Sequence, residues 1–438
     1  MGKHRAGLFG GLAATCCASA GAARAAPPLS AYQAPLALDA AATAWMLVST
    51  ALVLFMTLPG LALFYGGMVR RKNVIATVTQ SVAVSALVTL IWFLAGYSLA
   101  FSQGGSLQSL IGGLDAALLN GVTPASANGL AKTIPEYLYI AYQLTFAIIT
   151  PALIAGAFAE RMKFSALLLF MSLWSLVVYA PVAHWVWGGG FLGGLGVIDF
   201  AGGSVVHVNA GVAGLVCALV LGPRHGFRRD NMAPHNLVLT AIGAAILLVG
   251  WIGFNAGSAL AADAVASLAL LNTVLAPMCG AIGWTVLEWV ERRKPTLLGL
   301  LSGMVAGLVA ITPAAGYVDP KGAVVIGLLS GPVCYAGAVW LKNWLKYDDS
   351  LDAFGVHGLG GIAGALLTGL FADKAVNAAG AGADVLKQGL GLIVTIAWSA
   401  AATFAILWLC KLTTGLRVTR EEEIEGLDTS LHGEALHD

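Results

Sequence analysis

The stretch SVVHVNAGVAG, residues 204–214, sets a histidine inside an apolar run, with no Asp, Glu, Lys or Arg between Asp199 and Arg224. A run of that length and polarity reads as a helix at lipid depth, where an ionisable side chain is costly and ordinarily faces a pathway or a bundle interior. His207 therefore needs either a partner or a task. The rest of the chain shares the setting: 58% of residues are hydrophobic and 10% are charged, with a mean hydropathy of +0.83, whereas soluble domains are about 25% charged. This is the composition of an all-α polytopic membrane protein. The 55 glycines agree with it, because small residues let helix backbones approach closely in lipid. A net charge of +1 gives no electrostatic reason for a nucleic-acid partner.

Residues 1–25 read as a cleaved signal peptide. Lys3 and Arg5 precede an Ala/Gly/Leu-rich stretch, and Ala23-Arg24-Ala25 supplies small residues where a signal peptidase reads them. An uncleaved anchor is the alternative, but Arg24 interrupts the run, which falls short of the ~20 residues a span needs. Thr15 is a poor residue to precede a lipidated Cys16. Residues 26–40 then form a short outer segment, 41–412 the membrane domain and 413–438 a cytoplasmic tail. Cys217, Cys279, Cys334 and Cys410 all fall in apolar segments, so they read as small buried hydrophobes rather than as disulfides or a zinc site.

Cutting the chain at its charges yields eleven apolar segments: 41–68, 74–101, 137–159, 164–186, 203–222, 236–259, 264–287, 296–316, 322–345, 352–371 and 388–412. Alternate connections carry Arg70-Arg71-Lys72, Arg161 and Lys163, Arg224 with Arg228 and Arg229, Arg292-Arg293-Lys294, and Lys342 with Lys346. Lys411, Arg417 and Arg420 stand at the C-terminal end, whereas the other connections hold only Lys132, Lys321, Lys374 and Lys387. The positive-inside rule then puts the mature N-terminus outside and the C-terminus in the cytoplasm.

A second stretch, FGVHGLGGIAG at 354–364, repeats the arrangement. Aligning His207 with His357 pairs Val206 with Val356, Gly211 with Gly361, Val212 with Ile362, Ala213 with Ala363 and Gly214 with Gly364. Five spans separate the two, so they cross in opposite directions. That is the mark of an inverted repeat relating spans 1–5 to spans 6–10. Its axis would bring His207 and His357 together near the midplane, with a glycine one turn beyond each to let the helices close. Two readings of the pair stand side by side: hydrogen-bonding glue between helices, or the lining of a pathway or proton relay. No carboxylate or thiol stands at ligand spacing from either His, so no metal is expected. No cofactor motif and no nucleophile beside a base appears, and an enzyme is not expected. GGGFLGGLG, 188–196, lacks the Lys-Ser/Thr of a phosphate loop and reads as tight turn geometry.

Four long motifs, DFAGGSVVHVNAGVAGLV (199–216), GWIGFNAGSA (250–259), LLGLLSGMVAGLVAITPAAGYV (297–318) and DAFGVHGLGGIAGALLTG (352–369), resemble the ammonium transporter family. The resemblance runs from about residue 41 to the C-terminus. It implies eleven helices, a homotrimer with one path through each subunit, and movement of ammonium and often methylammonium across a bacterial inner membrane. It also suggests that the cytoplasmic tail, TGLRVTREEEIEGLDTSLHGEALHD, works with a PII-type signalling protein, although a charged tail can equally be a solvated end.

The same resemblance singles out site residues. Trp187 in HWVWGGG would offer a cation–π face, its alternative being a place in the interfacial aromatic belt. Ser258 in FNAGS would accept from an ammonium N–H, where otherwise a Ser after Gly serves packing or capping. Phe146 in AYQLTF and Phe254 in GFNAGS match a pair of rings that close the pore below the entry. Tyr142 stands where many relatives carry Phe, and its hydroxyl would join the entry site. Asp199 has two readings, direct contact with the cation or acceptance of backbone N–H bonds at a helix start, of which the second is preferred. A sensor signalling through its tail is the alternative function; only about 27 residues follow Lys411, which favours transport.

Overall fold

The computed structural model describes residues 38–436, so the expected signal peptide and nearly all of the outer segment lie outside the described residues. Among the described residues ten helices are long and apolar enough to cross a membrane, and an eleventh, shorter one joins them. We number them α1 (Ala40–Met68), α2 (Arg71–Phe101), α3 (Glu136–Phe158), α4 (Phe164–Gly194), α5 (Gly203–Leu221), α6 (Leu237–Gly257), α7 (Ala264–Arg292), α8 (Leu297–Ile311), α9 (Pro320–Leu345), α10 (Ala353–Phe371) and α11 (Val385–Thr413). Six of them begin at a polar side chain that accepts an orphan N–H of the first turn: Asp39, Asn236, Asp263, Thr296, Asp319 and Asp384.

The eighth segment is shorter than 296–316. Pro313 has no N–H to continue the ladder, and the Thr312 N–H turns back to Val309 O at 3.3 Å. Fifteen residues rise only about 22 Å, and the turns after Ile311 complete the passage. Prolines elsewhere are absorbed without ending a helix: Pro59 sits in a π-helical turn, Met56–Leu61, within α1.

The packing repeats between the halves. α2 lies against α3 and α4, and α3 against α5; in the second half α7 lies against α8 and α9, and α8 against α10. α5 and α10 each open with a six-residue π-helical turn, Gly203–Val208 and Ala353–Gly358, and each carries its histidine in the fifth place. A left-handed residue precedes both turns, Gly202 at φ 116° and Asp352 at φ 59°. The two helices cross reciprocally. A Cβ on Gly211 would lie 2.3 Å from Gly358 N, and one on Gly361 would lie 2.8 Å from Gly203 O.

The basic connections meet on one face. Arg70 and Arg224 both pair with Glu160, at 2.8 and 3.1 Å, and Arg224 also pairs with Asp348 at 2.8 Å. Burial opposes ionisation of Glu160, but the two guanidinium groups outweigh it and hold the carboxyl below its usual range. The fully buried Arg161 donates to Ala157 O, Ala159 O, Gly222 O, Asp348 O and Ser350 Oγ. The charge asymmetry of the sequence is thus a built lattice that ties the connections together.

The tail closes over this lattice. Lys163 N–H donates to Leu416 O and Val418 N–H to Arg161 O, and two short helices follow, α12 (Arg420–Glu425) and α13 (Leu427–His432). The N-terminal turns of α2 and α13 cap one another: Asp428 accepts from Ala76 N–H at 2.7 Å, and Asn73 accepts from Leu427 N–H at 2.8 Å. Through His432, whose ring meets Phe164 edge-on, the tail is docked rather than a loose solvated end.

The crossing yields a test. Gly211→Ala forces backbone against backbone and should cost at least about 1–3 kcal/mol, whereas Gly389→Ala in α11 meets nothing within 4 Å and should be neutral or slightly stabilising. Thermal unfolding in detergent reports both; equal midpoints would contradict the close crossing.

Candidate functional site: a paired-histidine passage

Between α4 and α5 the chain must turn Asp199–Gly202 back into the bundle, and the free N–H groups at the start of α5 need an acceptor. Asp199 supplies it. Oδ1 accepts from Gly202 and Gly203 N–H at 2.8 and 2.7 Å, and Oδ2 from Ser204 N–H, Ser204 Oγ and Val205 N–H at 2.8, 2.7 and 3.1 Å. Both oxygens are committed, so the geometry is that of a capping carboxylate. The Asp199 carbonyl in turn accepts from the Trp187 indole N–H at 2.8 Å. Trp187 is thereby anchored to the start of α5 and is not a free member of an aromatic belt.

Trp187, Tyr142, Phe146, Ser258 and Asp199 line one cavity of about 470 Å³ at the end of the bundle opposite the basic face, together with Gln143. The Tyr142 hydroxyl lies 3.0 Å from Gly253 O, 2.8 Å from Phe254 O and 3.2 Å from Ser258 Oγ, and Ser258 Oγ donates to Phe254 O at 2.9 Å. α3 is thus fastened to the frayed end of α6 at the cavity floor. Phe146 forms that floor: its ring meets Trp187 edge-on at 5.8 Å and stacks on Phe254 at 4.2 Å with 19° between planes. The expected ring pair is in contact, and the passage beneath is shut from the cavity.

Below the rings the two imidazoles stack, centroids 5.3 Å apart and 22° between planes. His207 and His357 come from opposite halves, 150 residues apart in their numbering. Both nitrogens of His207 and Nδ1 of His357 are buried with no hydrogen-bond partner among the described residues. Leu61, Phe64, Ile149, Leu153, Leu247 and Val305 complete the walls, and the remaining room is about 10 Å³, close to the least that holds one water. Helix-to-helix glue would show a bonded nitrogen. Among the described residues no cluster of three or more His, Cys, Asp or Glu could hold a metal; Cys217, Cys334 and Cys410 are buried free thiols, and Cys279, also free, is half-buried.

Two members escaped the sequence reading. Trp251 stacks on His207 at 5.3 Å, its indole N–H bonded to Thr312 Oγ1 at 2.8 Å, and so fixes the imidazole's plane from α6. Nothing in a Trp on an apolar helix distinguishes it from packing. Asp349 could have been found: it precedes His357 by eight residues, as Asp199 precedes His207. It accepts from Ala353 and Phe354 N–H at 3.0 and 2.7 Å, the positions that answer to Gly203 and Ser204.

These observations define a class: a multi-pass membrane protein of two inverted five-helix halves, with a narrow apolar passage holding stacked imidazoles. A model of the Ammonium Transporter Family matches residues 44–436, and the chain belongs to that family. It is 50% identical over 401 residues to the ammonium transporter of Bacillus subtilis (strain 168), covering 90% of this chain and 97% of that one. The ammonium transporter of Aquifex aeolicus (strain VF5) is 49% identical over 409 residues, covering 92% and 95%. Among solved structures, Saccharomyces cerevisiae Mep2 superposes with a TM-score of 0.81 at 37% identity, over 88% of each chain. A sensor Amt protein gives a TM-score of 0.82 at 29% identity, over 90% of this chain and 98% of that one.

The capping role of Asp199 is open to measurement. Asp199→Ala strands four buried N–H groups and a hydroxyl, each costing about 1–3 kcal/mol. Little monodisperse protein should survive extraction, and Asp199→Asn should fall between the variant and the parent. Parental yield and unfolding temperature for Asp199→Ala would refute the cap.

Proposed function

We propose that the protein carries ammonium, and methylammonium as its analogue, across a bacterial inner membrane, recruiting the cation outside and passing it inward after removal of a proton. The observation that carries this reading is the stacked pair His207 and His357, with unpartnered nitrogens in an apolar cavity with room for about one water. The positive-inside rule assigns the basic face to the cytoplasm and the Trp187 cavity to the outside. The family supplies the homotrimer, with one passage in each subunit.

Ammonium arrives hydrated, and the cavity replaces water with the faces of Trp187 and Phe146 and the oxygens of Tyr142 and Ser258. Each ring face is worth ~0.5–2 kcal/mol, more where water is excluded. Phe146 and Phe254 must part for the substrate to descend. Beneath them an intact cation would lose solvation that two imidazoles cannot restore. The ion therefore gives one proton to the imidazole pair, which relays it, and the neutral ammonia passes between apolar walls. An imidazole nitrogen can accept from the N–H of ammonium, and potassium, equal in charge and close in size, has no N–H to offer. The basic face and docked tail are where a PII-type signalling protein would bind. A sensor is the second reading, favoured by the likeness to the sensor Amt structure; substrate-coupled current from purified protein in liposomes separates transport from sensing alone.

Two variants test the site. His207→Asp places a fixed negative charge in the passage, as acidic residues do in cation channels, and so should His357→Asp. The expected result is potassium flux where the parent excludes it, measured in liposomes at matched protein amount and oligomer state. Folded variants with parental ammonium flux and full exclusion of potassium would make the imidazoles structural.

Trp187→Leu removes the π-face and the bond to Asp199 O but keeps an apolar body. Half-saturation for methylammonium should rise several-fold with oligomer yield retained. Unaltered saturation in a poorly inserted protein would return Trp187 to a purely structural place.

A further inference from the structure

The basic face carries a second cavity, about 610 Å³ and open to solvent, between the α5–α6 connection and the tail. Four arginines and His225 line it against two carboxylates, and the pairing of these charges is uneven. Arg224 is committed to Asp348 and Glu160. Arg417 is committed to Glu423, whose Oε2 takes Nη2 at 2.7 Å and Nε at 3.2 Å, while Oε1 accepts the His225 N–H at 2.6 Å. Glu423 thus has neither oxygen to spare.

Arg229 and Arg420 remain. No hydrogen bond or ion pair holds either guanidinium among the described residues, and both side chains are exposed. They come from the two sides of the cavity, Arg229 from the α5–α6 connection and Arg420 from the first residue of α12. Asp230 is the other carboxylate on the wall, and it folds onto its own turn: a Cβ on Gly226 would lie 1.9 Å from Asp230 Oδ2. The cavity therefore presents a surplus of forked donors, while Arg224, Arg417 and Glu423 on its wall are already committed. Guanidinium forks match the oxygens of phosphate bidentately, and two of them facing one cavity suit a dianion that can accept from both.

We propose that this cavity binds a phosphate group, free or on a lipid headgroup, between Arg229 and Arg420. The anion bridges the connection to the tail and so fixes how firmly the tail sits on the basic face. Its binding does not depend on the transport reading, because the test below measures occupancy and not flux.

The test uses the purified full-length protein. Unfolding temperature is followed against inorganic phosphate, with chloride at matched ionic strength as the control, and again in phosphatidylcholine nanodiscs with and without phosphatidylglycerol. We expect a saturable rise of a few degrees with phosphate or with phosphatidylglycerol. The double variant Arg229→Ala/Arg420→Ala should lose that rise, and Arg229→Lys/Arg420→Lys should keep it at weaker half-saturation. Protection by phosphate marks a soluble ligand, and protection by phosphatidylglycerol alone marks a headgroup; either supports the site. A rise that chloride matches, or that survives in the alanine variant, overturns it. So does a cavity silent to both probes that is occupied only by an acidic segment of another protein.

Discussion

At Gly211 the backbones of α5 and α10 come so close that a single methyl group would meet the main chain of Gly358, and the stacking of the two histidines rests on that contact. Two helices from opposite halves can bring imidazoles within 5.3 Å only if nothing stands between their backbones at the crossing. Lipid provides no hydrophobic drive for the approach, so close dispersion contact along small residues must supply it. The reciprocal contact at Gly361 shows that the symmetry reaches individual residues. The pair of histidines is thus a property of the interface between the halves.

The same economy governs the helix starts. Broken or irregular backbone at membrane depth is tolerated only where its polar groups are satisfied inside the protein. Asp199 satisfies four N–H groups at the start of α5, and Asp349 does the same office for two at the start of α10. Each carboxylate holds the π-helical turn that presents a histidine, and the first also carries Trp187 on its carbonyl. Cavity, ring pair and imidazoles are therefore linked: a shift at Asp199 moves the indole above and His207 below.

At the opposite end, charge does the work that small residues do in the core. Glu160, Arg224 and Asp348 join connections from both halves, and Arg417, Glu423 and Lys72 extend the joining to the tail. Such buried pairs contribute little net stability against an apolar alternative, but removing one partner strands the other. The lattice fixes which connections lie together, and it leaves Arg229 and Arg420 as the uncommitted charges of the tail cavity.

By itself the sequence determined the membrane class, the eleven apolar segments, the asymmetry of basic connections and the duplicated histidine motif. Those features are local or periodic: a span needs only a run of apolar residues, and a repeat needs only two matching stretches. The family motifs added Trp187, Tyr142, Phe146, Phe254 and Ser258, and the structure gathers all five around one cavity and its floor. Only the tertiary structure decided that Trp251 braces His207, that α8 stops at Ile311, that the tail is docked, and that the phenyl rings are closed. Each of these depends on segments far apart in sequence meeting in space: Trp251 is 44 residues from His207, and Asp428 is 352 from Ala76. No periodicity of 3.6 residues carries that information, because the partner's position along its own helix is set by how the helices cross.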